Sequence, residues 1–168
     1  MLRMERVSSR NVRQLLRLQV RPEQAGFVAT NTMSIIEAYT TTAAGGHAFP
    51  FGLFDDEEPV GFLMIGFGTD AEWDNPPAIA HGSYNIWRLM IDARHQGRGY
   101  GRQAMLLALD FIRTLPCGSA PCVWLSYEPE NHAARALYAS FGFRETGETD
   151  GDEVIAALPL IRQELENP

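Results

Sequence analysis

Hydrophobic positions along this chain recur in two rhythms. In NVRQLLRLQV, Val12, Leu15, Leu16 and Gln19 fall at helical spacing, with Arg10, Arg13 and Arg17 on the wetter side and Ser8 and Ser9 placed as caps. A short strand over residues 2–7 precedes this helix, and a second short helix is predicted over 32–39, followed by a Thr- and Gly-rich loop ending near Gly46. Strand-like runs follow at 49–54 and 60–67, separated by the polar connection DDEEP, and then a loop from Thr69 to Gly82 that contains Asn75-Pro76-Pro77.

The aromatic and β-branched run over 84–91 reads as a central strand. Ala104, Leu107, Ala108, Phe111 and Ile112 mark a helix reaching about Arg113, and its nearly continuous apolar character over 104–109 predicts deep burial. A strand over 123–127 leads to a helix over 131–141, closed by Gly142 at a position where glycine suits the left-handed backbone that ends helices. Strands at 143–149 and 153–158 flank Asp150-Gly151, a hairpin signal. The order β-α-α-β-β-β-α-β-α-β-β predicts an α/β fold, with a mixed twisted sheet flanked by helices in a single domain spanning 1–168.

Composition narrows the functional classes. The chain is 45% hydrophobic and 21% charged, without low-complexity tracts or repeats, which is ordinary for a globular protein. MLRMERVSSR lacks the apolar core of a signal peptide, and no apolar run approaches the roughly 18 residues that span a membrane, so the expectation is a cytoplasmic protein without a membrane partner. Cys117 and Cys122 are too few for a disulfide framework, and neither they nor the four histidines show metal-ligand spacing, so no metal is expected.

A net charge of −7 argues against nucleic acid as a partner. The distribution is more telling than the sum. All fourteen basic residues are Arg, and none falls between Pro22 and Trp87, a span that holds nine carboxylates. From Arg88 to Arg113 five arginines face only Asp92 and Asp110, a net of +3.

Within that basic strip lies RHQGRGYGR, residues 94–102, after a strand and before a helix. Glycines there let consecutive N–H groups converge on one point and let an anion approach the backbone, so an anion cradle competes with a plain turn. A P-loop would end in Gly-Lys-Ser or Gly-Lys-Thr, and this chain has no lysine. A dinucleotide fingerprint needs an acid some twenty residues beyond the glycines, where PCGSAPCVWLS has none.

Gln96-Gly97-Arg98-Gly99-Tyr100-Gly101 resembles the Gln/Arg-x-x-Gly-x-Gly/Ala signature of the GCN5-related N-acetyltransferases. A second element of the resemblance lies in NHAARALYASFGF, where Asn131, Ala134, Arg135 and Tyr138 share one helix face and Phe141-Gly142-Phe143 closes the helix. Arg21-Pro22-Glu23-Gln24, Pro59-Val60-Gly61-Phe62, the strand ending Trp87-Arg88-Leu89-Met90-Ile91-Asp92 and the terminal hairpin are similar to the bacterial diamine and spermine/spermidine branch of that family.

The resemblance implies acetyl-CoA as co-substrate, bound by backbone groups of Leu89, Met90 and Ile91 along the pantetheine arm and by Gln96, Gly97, Arg98, Gly99, Tyr100, Gly101 and Arg102 at the pyrophosphate. Asn131, which also suits a helix cap, Ala134 and Arg135 would complete the cofactor side. Tyr138 would be the general acid that protonates the departing thiolate, the alternative being a tyrosine packed on an apolar stripe.

Presenting an alkylamine of pKa ~10 as free base at neutral pH costs about 4 kcal/mol, so a proton acceptor is needed. Several polyamine acetyltransferases carry an acid just before the position of Arg88, where this chain has Trp87, suited to stacking or a cation–π contact. Glu23 and Glu128 are the replacements expected by location, with exposed acids as the plain alternative.

In the family's fold the span without arginine borders the acceptor, favouring a small-molecule cationic amine of polyamine type attacked directly. Acetylation of an aminoglycoside, an amino acid or a protein N-terminus is the alternative within the enzyme class, and a non-catalytic acyl-CoA sensor the alternative outside it. A homodimer is compatible with all of these.

Overall fold

A computed structural model describes residues 1–160; the remainder of the expected domain, 161–168, lies outside the described residues. Seven strands form one sheet in the order β1 (Leu2–Arg6), β2 (His47–Asp55), β3 (Glu58–Phe67), β4 (Tyr84–Ile91), β5 (Cys122–Tyr127), β7 (Glu153–Pro159) and β6 (Arg144–Asp150). All neighbours pair antiparallel except β4 and β5. Those two strands share only the pairs Tyr84↔Val123 and Asn85↔Trp124 before they part.

Helices cover both faces. Helices α3 (Tyr100–Arg113) and α4 (His132–Ser140) lie over a core that includes Leu53, Leu63, Ile65, Ile86, Met105, Ile112 and Leu125. On the opposite face α1 (Val12–Leu15) and α2 (Asn31–Ala43) cover a second cluster built from Leu15, Leu18, Ala38, Phe62, Met64 and Met90. This is the expected element order in a single-domain α/β fold.

Three local expectations shift. The first helix amounts to one turn. After Leu15 the bonds shorten to Arg17→Gln14 and Leu18→Leu15, and the chain is then captured from outside: Gln19 N–H donates to the Asp92 carboxylate at 3.0 Å while its carbonyl accepts from Ala93 N–H at 2.8 Å. The second helix is longer than its apolar pattern. Thr40 and Thr42, read as loop formers, return their hydroxyls to the carbonyls of Glu37 and Ala38 and so satisfy them inside the helix. The last hairpin turns at Gly151-Asp152, one residue later than expected, because Asp150 pairs with Glu153.

Asp92 is a structural node just beyond β4. Only 3% exposed, it accepts from Gln19 N–H, from Arg94 N–H at 3.1 Å and from Arg94 Nε at 2.8 Å, tying the chain after α1 to the segment that leads into α3. Burial pushes its carboxyl upward, but the Arg94 guanidinium and the two backbone donors outweigh that and hold it below the ordinary carboxylate value. A depressed carboxyl contributes stability that is complete above its unfolded value and is lost as the pH falls. Asp92→Asn is therefore expected to lower unfolding stability by about 2 kcal/mol at neutral pH, and the difference should shrink in denaturant melts as the pH is taken below about 4.

Candidate active site

The parting of β4 and β5 opens the cleft. On β3, Met64 pairs with Arg88 and the next residue, Ile65, pairs with Ile86, so Trp87 is an extra residue in β4. Such a bulge bends its strand and sharpens the local twist. Beyond it, Leu89, Met90 and Ile91 form one wall of a cavity of about 580 Å³, with the glycine segment at one end and Asn131, Ala134, Leu137 and Tyr138 of the α4 region opposite.

The glycine segment is built to present donors. Gly97 and Gly99 sit at φ +78° and +80°, the left-handed region that other residues enter only with strain, and Gly99 caps α3. From Gln96 through Arg102 no backbone N–H donates to an acceptor among the described residues. Those donors stand at the positive end of a 14-residue helix, an arrangement that favours an anion by both charge and hydrogen bonding. The loop is anchored by side chains. Gln96 Nε2 donates to Ile91 O at 3.0 Å and to Gln24 Oε1 at 2.8 Å, and the Tyr100 hydroxyl donates to Asp55 at 2.6 Å.

The basic strip seen in the sequence divides in three dimensions. Arg88 pairs with Glu37 at 2.9 Å, Arg94 with Asp92 at 2.8 Å and Arg113 with Asp110 at 2.7 Å. Arg98 and Arg102 enter no ion pair among the described residues, and neither lines the cleft. Arg102 also stacks over the Phe141 ring at 5.1 Å.

On α4, the Asn131 side chain accepts from Ala134 N–H at 3.2 Å and so caps the helix while lining the cleft. Gly142, at φ +91°, ends it in the left-handed conformation. Arg135, expected toward a cofactor, pairs with Glu145 of β6 at 2.7 Å and does not line the cleft. Tyr138 lines the cleft at only 9% exposure, its ring tilted against Tyr127 and Phe143. Burial, followed by the negative charge of Glu153 and the proximity of Tyr127, pushes its phenol up to about 12. At neutral pH it is therefore fully protonated, a donor and not a base.

A second cavity of about 730 Å³ meets the first where Trp87, Arg88, Ser126 and Glu153 line both. Its walls carry the carboxylates Glu37, Asp70, Glu72, Asp150 and Glu153, with Trp73, Trp87 and Trp124 between them. Of the expected substrate-side residues Trp87 alone is there. Glu23, exposed in the 3-10 turn Pro22–Gln24, and Glu128, half-buried beyond β5, line neither cavity. Glu153 and Ser126 went unnoticed in the sequence, where they read as ordinary strand residues. Register brings them together: Ser126 pairs with Ile155, two residues along β7 from Glu153, so both point to one face. Among the described residues no three His, Cys, Asp or Glu side chains gather as a metal site.

Residues 12–143 match the model of the acetyltransferase (GNAT) family. The chain is 31% identical over 134 residues to the spermine/spermidine N(1)-acetyltransferase of Bacillus subtilis, covering 76% of this chain and 84% of that protein. It is 38% identical over 87 residues to the N-alpha-acetyltransferase RimI of Mycobacterium tuberculosis, covering 52% of this chain and 49% of that one. The fold also superposes on the crystal structure of the aminoglycoside acetyltransferase AAC(6')-Ib in complex with coenzyme A, with TM-score 0.74 at 14% identity, over 97% of this chain and 96% of the other. With its family signature spread over most of its length, this chain belongs to the GNAT acetyltransferases and is an N-acetyltransferase that uses acetyl-CoA.

Proposed function

We propose that the acceptor is a small cationic amine of polyamine type, entering through the second cavity and meeting the acetyl group where the two cavities join. The observation that carries this reading is the lining of that cavity: five carboxylates against one arginine, itself paired to Glu37, with Trp73 and Trp87 between them and Trp124 buried behind. Carboxylates attract ammonium groups, and tryptophan faces hold them by cation–π attraction while accommodating the methylene stem. The name of the B. subtilis relative agrees with this choice. A peptide N-terminus is the second reading, favoured by the RimI relative.

On the cofactor side, the free N–H groups of residues 96–102 with Arg98 and Arg102 suit the pyrophosphate of acetyl-CoA. The stretch Leu89–Ile91 pairs with β3 on one edge and with no strand on the other, and that open edge suits the pantetheine arm. Ile91 O is already held by Gln96. Asn131 and Ala134 border the same path. In the reaction the amine nitrogen bonds to the thioester carbonyl carbon and the C–S bond breaks. Tyr138 gives its phenolic proton to the departing sulfur, and a proton from the attacking nitrogen replaces it.

Tyr138→Phe is expected to lower kcat by roughly 10² to 10³-fold with little change in the CoA dissociation constant, measured by thiol release and by calorimetry. Since the phenol lies near 12, kcat should climb with pH as the amine loses its proton, with no falling limb from Tyr138 below about pH 10. Gly99→Ala places a side chain at φ +80°, a conformation that costs about 1–2 kcal/mol, and should weaken CoA binding at least about tenfold. Gly118→Ala, at φ +96° in a distant loop, should match it in thermal stability loss and leave CoA binding unchanged. A panel of polyamines, aminoglycosides and N-terminal peptides tests the acceptor, with the highest kcat/KM expected for a polyamine.

A further inference from the structure

The established chemistry needs a route for the proton that an ammonium must lose before its nitrogen can attack, and the reading above assigns none. We propose that Glu153, hydrogen-bonded by Ser126, is the proton acceptor of the reaction. This rests on the acceptor entering through the second cavity.

Four residues line both cavities, and they differ in what they can do with a proton. Trp87 has no basic atom. Arg88 is a permanent cation, with its guanidinium donating to Glu37 and to the Trp87 carbonyl. Ser126 is too weak a base to act alone. Glu153 is the one carboxylate among the four, and the Ser126 hydroxyl donates to its Oε2. That donation orients the carboxylate and leaves the serine oxygen its acceptor lone pairs. Glu153 and Ser126 line the first cavity together with the proposed acid, Tyr138, and the charge of Glu153 is among the causes that raise its phenol. Acid and base thus line one cavity from different elements, Tyr138 from α4 and Glu153 from the start of β7.

The other charged groups around Glu153 leave it the acceptor role. Asp150 lies across the hairpin as its strand partner, and on the far walls of the second cavity stand Asp70 and Glu72. None of these three lines the first cavity. They attract the cation without reaching the point of attack. His47 opens onto the second cavity as well and is absent from the junction. Arg88, on β4, has its charge offset by Glu37 of α2.

The step balances. The ammonium gives one proton to Glu153, directly or across the Ser126 hydroxyl, and the free amine attacks. Its second proton replaces the one that Tyr138 delivers to sulfur. Glu153 then returns its proton to water through the second cavity, so the sum is amide, free thiol and one released proton.

Glu153→Gln keeps the shape and the hydrogen bond to Ser126 but cannot take a proton. With the amine that the wild-type enzyme turns over best, this variant is expected to lose about 100-fold in kcat/KM near neutral pH, with the loss carried by kcat and CoA binding unchanged. The deficit should shrink as the pH rises and the amine sheds its own proton. It should also nearly vanish with a fluorinated ethylamine, a weakly basic amine already neutral at pH 8. Ser126→Ala should lose less and show the same trend, and Glu153→Asp should recover part of the activity. Equal losses for strongly and weakly basic amines, or a pH profile parallel to wild type, would overturn the assignment. If the best amine proves to be a peptide or an aminoglycoside, the polyamine reading fails while the Glu153 test stands on that amine. No turnover of any amine by the wild-type enzyme would overturn both.

Discussion

The whole site depends on a parallel pairing that stops early. Parallel strands normally run together with evenly spaced bonds, and every extra rung would bury two more backbone groups at no conformational cost. Here β4 and β5 share two residue pairs and then diverge. The bulge at Trp87 bends β4 at the point of parting. Backbone groups left unpaired inside a protein are costly, which makes the opened edge a ready partner for an extended ligand with amides of its own. The wedge-shaped gap also gives two separate approaches to one point, one from the α3–α4 side and one from the α2 side.

Side chains keep the wedge open. Gln96 bridges the end of β4 to the turn at Gln24, and buried Asp92 holds the chain after α1 against the start of the glycine segment. Neither needs to touch a substrate. By fixing both ends of the loop they allow Gly97 and Gly99 to take left-handed backbone and so point successive N–H groups into the cleft, an arrangement that a mobile loop would have to form anew with each binding event.

Electrostatics divide along the same line. On one side are the donors of the loop with Arg98 and Arg102, which enter no ion pair among the described residues, and on the other the second cavity gathers carboxylates and tryptophans. In the first cavity the burial of Tyr138 does the reverse of what it would do to a nucleophile: it holds the phenol protonated, at about 12, and makes it a donor.

Much of this was legible in the chain because it is local. Element order, the strand over 84–91, the cap at Asn131 and the glycine that ends α4 depend on periodicity and backbone conformation within a few residues, and the glycine segment announced its anion cradle through composition and position. The lengths of the first two helices were not legible, since Asp92 captures Gln19 from 73 residues away and the threonines of α2 find acceptors only once the helix exists. The same limit applied to the site. Arg88, Arg94 and Arg135 looked alike in sequence to Arg98 and Arg102, and carboxylate partners take up the charge of the first three. Glu23 and Glu128 lie close to the motifs in sequence but line neither cavity, whereas the carboxylate at the junction is Glu153, carried there by strand register. Sequence by itself determined the family, the element order and the glycine turn that opens α3. Tertiary structure decided which charges are paired and which carboxylate lines both cavities, because pairing of distant side chains follows from sheet register and strand divergence, which no stretch of the chain contains.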